Sequence, residues 1–280
     1  MSATWRSEAP PEAARRLSVG DWVRVVRRGL PLAIVTFGCL AIMLILRLLE
    51  RPLFGLRRPV TPWLTRFVCT AAFVLLGIQR RVRGTPILGG GAVVSNHSSW
   101  LDIFSLNAAQ RIYFVSKAEV AAWPGIGWLA RATGTVFINR DRREARDHTS
   151  VLETRLMAGH KLLFFPEGTS TDGRRILPFK TTLFQAFFTE HLRPGLQVQP
   201  VTVVYTAPEG EDPRFYGWWG DMDFGPHLLK ILAAPRQGSV EVIYHPALRV
   251  ADFAGRKALA AACETAVRSG IPGPVQISDS

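Results

Sequence analysis

Leu30 to Leu46 reads LPLAIVTFGCLAIMLIL, seventeen residues without a charge, and this run constrains the chain more than any other feature. A helix needs about 20 apolar residues to cross a bilayer, while about 10–14 suit an interfacial, re-entrant or core segment. The first run falls between these classes. A second, Phe67 to Ile78 (FVCTAAFVLLGI), is too short to span. Arg24, Arg27 and Arg28 precede the first run, and Arg47, Arg51, Arg57 and Arg58 follow it. A true span keeps its positive charge on one side, whereas both flanks here are basic. The pattern predicts a shallow hairpin or interfacial anchor on an anionic leaflet in preference to a single span. For Phe67–Ile78 a buried core helix is the alternative. A secretory signal peptide is not expected, because the run starts late, lacks a small-x-small cleavage site and is followed by more arginines.

Charge reinforces the lipid reading. The first 90 residues hold fourteen arginines and four acids, so most of the net +12 lies beside the apolar runs. A surplus of this size asks for an anionic partner, and its place next to apolar segments favours a lipid surface over nucleic acid. Hydrophobic residues make up 48% of the 280, which excludes a disordered chain. Cys39, Cys69 and Cys263 are too few and too far apart for a disulfide framework or a zinc site. They suit a reducing, cytoplasm-facing environment.

From about residue 84 the pattern alternates, and strands interleaved with helices argue an α/β domain. Strands are expected at 92–95, 111–115, 134–138, 161–165, 196–206 and 239–244. Helices are expected at 100–109, 142–158, 183–191 and 254–268, the first capped by Ser98 or Ser99. Pro200 demotes its part of the fifth strand to an edge or a bulge. The organisation read is a basic anchor region over 1–83, an α/β domain over 84–270 and a loose tail over 271–280.

Four short blocks hold the residues able to do chemistry. The first is Asn96-His97-Ser98-Ser99-Trp100-Leu101-Asp102. Histidine is the natural general base near neutral pH. An aspartate on its other ring nitrogen fixes the tautomer and stabilises the imidazolium. A strand-to-helix turn can fold His97 back over the helix start where Asp102 sits, although a first-turn acid is also favoured by the helix dipole alone. The second block, Gly134 to Arg140, ends a strand with an arginine placed to grip an anion, or simply exposed beside Arg142 and Arg143. The third, Phe165-Pro166-Glu167-Gly168-Thr169-Ser170, runs an apolar strand into a tight turn, with Glu167 expected at a buried strand end and pairing with an arginine as its alternative role. Asp172, Arg174, Arg175 and Lys180 follow it. The fourth is Pro200 on its strand. No GxSxG nucleophile elbow is present.

Taken together, and in this order, the blocks resemble the PlsC-type 1-acylglycerol-3-phosphate acyltransferase family. NHxxxxD corresponds to Asn96, His97 and Asp102; GxxFxxR to Gly134, Phe137 and Arg140; FPEGTR to Phe165 through Thr169, with Ser170 in place of the final arginine. The resemblance covers about residues 84–245. It implies a mixed α/β sheet flanked by helices, of the glycerolipid acyltransferase type, behind an N-terminal membrane-associated helical segment. His97 and Asp102 would be catalytic, and Asn96, Arg140, Glu167, Gly168, Thr169, Ser170 and Lys180 would bind substrate. The donor would be an acyl-carrier-protein or coenzyme A thioester, with no bound cofactor and no metal. The partners would be the bilayer and a lyso-lipid acceptor, at a bacterial-type inner membrane with the catalytic domain facing the cytoplasm. The string from Phe164 to Lys180 and Ser116-Lys-Ala-Glu-Val120 further resemble lyso-ornithine lipid O-acyltransferases. Their acceptor carries a carboxylate and an amine where lysophosphatidate has a phosphate. Losing one phosphate clamp at Ser170 fits that acceptor, and Glu167 or Asp172 would be expected to attract the ammonium.

Overall fold

A computed structural model describes residues 5–7, 16–139 and 145–272. Its elements are, in order, α1 (Val19–Phe54), α2 (Thr61–Leu76), β1 (Gln79–Arg83), β2 (Gly91–Ser95), α3 (Leu101–Ala109), β3 (Tyr113–Lys117), α4 (Ile126–Thr133), β4 (Val136–Ile138), α5 (Ala145–Met157), β5 (Lys161–Phe164), β6 (Gln197–Thr206), α6 (Phe224–Ala233), β7 (Ser239–Tyr244), β8 (Leu248–Arg249) and α7 (Arg256–Ser269). The strands form one mixed sheet in the order β1-β7-β6-β2-β5-β3-β4, with β8 also on β6. From β6 to β4 all neighbours are parallel; β7 runs antiparallel to β6, and β1 parallel to β7. The strand Gln79–Arg83 thus pairs into the sheet although it lies on the anchor side of residue 84.

Helices cover both faces, so the inner strands are apolar throughout. Their side chains alternate between two cores, as a period of 2 requires. Val93 and Leu163 join Phe73 and Leu76 of α2, Leu101 and Leu106 of α3 and Ile231 of α6. Ala92, Val94, Leu162 and Phe164 meet Leu152 and Leu156 of α5 and Leu259, Cys263 and Val267 of α7.

The N-terminal region differs from the expected hairpin of two short segments. α1 is one helix of 36 residues, about 54 Å at 1.5 Å per residue. It is long and apolar enough to cross a membrane. It starts in a capping box, with Ser18 and Asp21 satisfying each other's amides, and continues through Arg47. That charge, which broke the apolar run on paper, is paired with Glu50 at 3.1 Å. Part of the basic flank also faces protein and not headgroups. Arg24 Nε donates to Ala233 O, and Arg28 Nη1 donates to Leu232 O and Ala234 O, at 2.6–2.9 Å, capping the carboxyl end of α6. The second run takes the core alternative on one side of α2, where Cys69, Ala72, Phe73 and Leu76 are buried; Trp63, Phe67 and Val74 stay exposed.

Two further expectations are corrected. The segment 183–191 is a 3₁₀ helix over Leu183–Phe188. Phe184 and Phe187 are both buried against Phe164, and a three-residue turn sets i directly over i+3. Pro200 lies inside the sheet, not at an edge, opposite Val94 of β2. Its missing N–H falls where β6 changes partner from β8, paired at Gln197 and Val198, to β7, paired from Val201 onward. The Pro200 carbonyl still accepts from His245 N at 3.1 Å. The expected tail falls mostly outside the described residues.

Candidate active site

Register brings the first and third blocks together. β2 and β5 are parallel neighbours with Val94 opposite Phe164, so the segments leaving their carboxyl ends emerge side by side. That end is where open parallel sheets hold ligands.

His97 is the first of these residues with exposed side-chain surface. Its Nδ1 lies 2.7 Å from Asp102 Oδ2, with 19% of the histidine side chain and none of the aspartate exposed. The same Oδ2 accepts from the amides of Ser98 (2.8 Å) and Ser99 (3.0 Å). Asp102 therefore ties the start of α3 to the turn that carries His97. The expected serine cap is reduced to one contact, Leu101 N to Ser99 Oγ at 3.3 Å. The other oxygen of Asp102 accepts from Tyr205 OH at 2.9 Å. Burial and the Asp102 charge hold the Tyr205 hydroxyl well above its usual pKa, so it stays a donor. Phe165 stacks on the imidazole, centroids 4.0 Å apart and planes at 10°. With Nδ1 engaged, Nε2 is the nitrogen left for a substrate.

Two residues expected to bind substrate turn inward. Asn96 donates from Nδ2 to Val203 O (2.9 Å) and accepts from Val203 N at Oδ1 (2.8 Å). It extends the β2–β6 ladder by one side-chain pair. Glu167 is 1% exposed, and its carboxyl accepts from His97 N and Leu177 N, both at 2.7 Å. Burial pushes it up to about 8, against the pull of those two amides. No arginine pairs with it among the described contacts. Asp172, the other acid expected to attract an ammonium, is 2% exposed and already accepts from Arg174 N and Arg175 Nη2. Both carboxyls shape the site from behind.

The rest of the third block lies at the rim. Gly168 turns the chain with φ +74°. Thr169 and Ser170 are half-buried, and Lys180 is exposed, its amide bonded to Pro166 O at 2.9 Å. Of the second block, Gly134 and Phe137 are not gathered here. Gly134 caps α4 and accepts from Arg155 Nη2 at 2.9 Å; Phe137 is on β4, at the end of the sheet order beyond β5 and β3. Arg140 lies outside the described residues.

Reading the sequence did not find Tyr205 or the amide of Leu177. A tyrosine late in an expected strand carries no local mark of pairing with an aspartate far upstream. Phe165 was visible as part of its block, but not as a ring stacked on His97.

Comparisons with known proteins give the family. A family model described as Acyltransferase matches residues 79–205. The chain is 58% identical over 267 residues, 95% of its own length and 96% of the relative's, to a lyso-ornithine lipid O-acyltransferase of Rhodobacter capsulatus. The chain belongs to the acyltransferase family. A second lyso-ornithine lipid O-acyltransferase, from Brucella abortus, is 41% identical to this acyltransferase over 66% of the chain and 71% of the relative. A 1-acyl-sn-glycerol-3-phosphate acyltransferase of Neisseria meningitidis is 42% identical over shorter shares, 44% and 48%. The crystal structure of the 1-acyl-sn-glycerophosphate acyltransferase PlsC from Thermotoga maritima superposes with a TM-score of 0.63 at 21% identity, covering 89% of this acyltransferase and 94% of that chain. This last likeness establishes the shared fold.

Proposed function

We propose that this acyltransferase moves a fatty acyl group from an acyl thioester to the hydroxyl of lyso-ornithine lipid, at the cytoplasmic face of an inner membrane. The observation that carries the chemistry is the His97–Asp102 contact of 2.7 Å, buried on the aspartate side and open on the histidine side. Asp102 holds the imidazole in the tautomer with hydrogen on Nδ1. His97 Nε2 then takes the acceptor's hydroxyl proton as its oxygen attacks the thioester carbonyl carbon. The tetrahedral intermediate collapses, the C–S bond breaks, and His97 returns the proton to the departing sulfur. Neither a metal nor a covalent acyl-enzyme enters this sequence of steps.

The acceptor reading rests on Ser170 at the family's arginine position and on the 58% identity to the Rhodobacter capsulatus protein. The donor in this reading is an acyl-carrier-protein or coenzyme A thioester, either of which suits a chain of net charge +12. α1 supports residence at the bilayer: Ile34, Phe37, Leu44 and Leu48 along its length are all more than half exposed. The deciding experiment supplies purified enzyme with both donors and with lyso-ornithine lipid and lysophosphatidate in competition, then identifies the product by mass. Ornithine lipid as the main product is expected. Phosphatidate as the main product would move the assignment to the glycerol phosphate acceptor.

A further inference from the structure

Arg175 is joined to the catalytic turn through Thr171. The Thr171 amide donates to His97 O at 2.9 Å, and Thr171 Oγ1 donates to Arg175 O at 3.2 Å. Gly173 between them (φ +78°) lies beside Ser98, so that a Cβ there would be 3.4 Å from the serine Cβ, in ordinary contact. The Arg175 side chain is only 19% exposed, yet it is lightly engaged. Its Nη2 reaches Asp172 Oδ2 at 3.4 Å, and its buried Nε meets no acceptor among the described residues. Nearby Arg214, by contrast, is bound through Nε and Nη2 to both oxygens of Asp212 at 2.7–3.2 Å.

What holds Arg175 comes from the other end of the chain. Its guanidinium lies over the Trp5 indole, 5.0 Å from the ring centre. Trp5 meets Trp219 at 6.4 Å, and Arg6 pairs with Asp221 at 2.7 Å. Trp218, beside these residues, donates its amide to Ser98 O at 2.8 Å. Trp5 and Arg6 are thus laid against the two loops that brace the His97 turn.

We propose that Arg175 reads the anionic group of the acceptor's headgroup, a carboxylate if the lyso-ornithine reading holds, and that Trp5 is a positioning residue that presents the guanidinium to it. A guanidinium fork matches a carboxylate in two parallel hydrogen bonds. Stacking on an indole fixes its plane without consuming its donors. The long contact to Asp172 restrains the group without satisfying it, and because Nε is sealed from solvent the headgroup would meet the Nη edge of the fork. Arg175 then supplies the anion contact that Ser170 does not.

The test compares lyso-ornithine lipid with its carboxyl methyl ester as acceptors for the full-length enzyme. Arg175→Ala should raise KM for the carboxylate acceptor about 10–100-fold, the loss expected of a charge-assisted hydrogen bond, with KM for the donor unchanged. With the methyl ester, wild type and variant should agree. Arg175→Lys keeps the charge without the fork and should fall between. Trp5→Ala should raise the same KM about threefold to tenfold with kcat retained, and Trp5→Phe should restore part of it. Equal penalties for both acceptors, or a parallel fall in kcat for both, would overturn the proposal in favour of a structural role. If wild type uses lysophosphatidate and not lyso-ornithine lipid, the acceptor reading fails by itself. The Arg175 comparison is then made between lysophosphatidate and monoacylglycerol: a loss confined to the charged lipid upholds the proposal, and a loss shared by both overturns it.

Discussion

Tyr205 OH donates to Asp102 Oδ1 at 2.9 Å, on the opposite side of the carboxylate from His97. Asp102 is thereby held by four hydrogen bonds with none of its side chain exposed. Removing one partner from a buried charge costs about 1.5–3 kcal/mol. Tyr205→Phe is expected to lower kcat about tenfold and to lower the melting temperature, with KM for both substrates nearly unchanged. Steady-state kinetics beside a thermal melt read both effects.

His97→Ala removes the group proposed as general base, a contribution of about 10²–10⁴-fold in rate. Asp102→Asn should impair turnover strongly at almost unchanged melting temperature. An amide oxygen can still accept from His97, Ser98 and Ser99, and its nitrogen can donate to the Tyr205 oxygen, so only the negative charge that stabilises the imidazolium is lost. Near-normal acyl transfer by His97→Ala would remove the histidine from the mechanism.

Glu167 predicts a pH dependence of stability. Its folded pKa is raised to about 8 from 4.5, so the folded state binds its proton more tightly than the unfolded state. The stability associated with that proton is fully present below about pH 4.5 and is lost as pH rises through about 8. Glu167→Gln does not titrate. The melting temperature of wild type relative to Glu167→Gln should therefore fall steadily as pH rises through this window; a constant difference would mean that Glu167 is ionised throughout. Gln also presents an NH₂ to one of the two amides of His97 and Leu177, so its activity should be reduced at every pH.

Ser170→Arg restores the arginine of the family pattern at the rim of the site. The added charge-assisted hydrogen bond should improve use of lysophosphatidate by about 10–100-fold in kcat/KM and should not improve use of lyso-ornithine lipid. Competition between the two acceptors measures the ratio directly. An unchanged ratio would show that residue 170 does not reach the headgroup.

The enzyme should fractionate with membranes. An alkaline carbonate wash separates the two modes left open by α1: a spanning helix stays in the pellet, whereas an interfacial one is released. In the interfacial case, labelling should place the N-terminus on the same side as the catalytic domain.

Periodicity and block order were sufficient for the α/β class, for most of the strands and for His97 with Asp102. Those features depend on short-range spacing: alternate buried positions in a strand, and a histidine and an aspartate five residues apart across one turn. Three others depend on what lies across space. Asn96 and Glu167 carry polar groups of the kind that bind substrate, but the parallel pairing of β2 with β5 and β6 turns them onto backbone amides and carbonyls. Pro200 reads as an edge residue until β6 is seen to change partners there, leaving no amide to be missed. Arg24 and Arg28 read as a flank for lipid headgroups until the carboxyl end of α6 is seen to accept from them. Local sequence records which groups a residue brings. Only the assembled sheet decides whether those groups meet a substrate or the protein's own backbone, because an unpaired buried polar group costs more than almost any local preference.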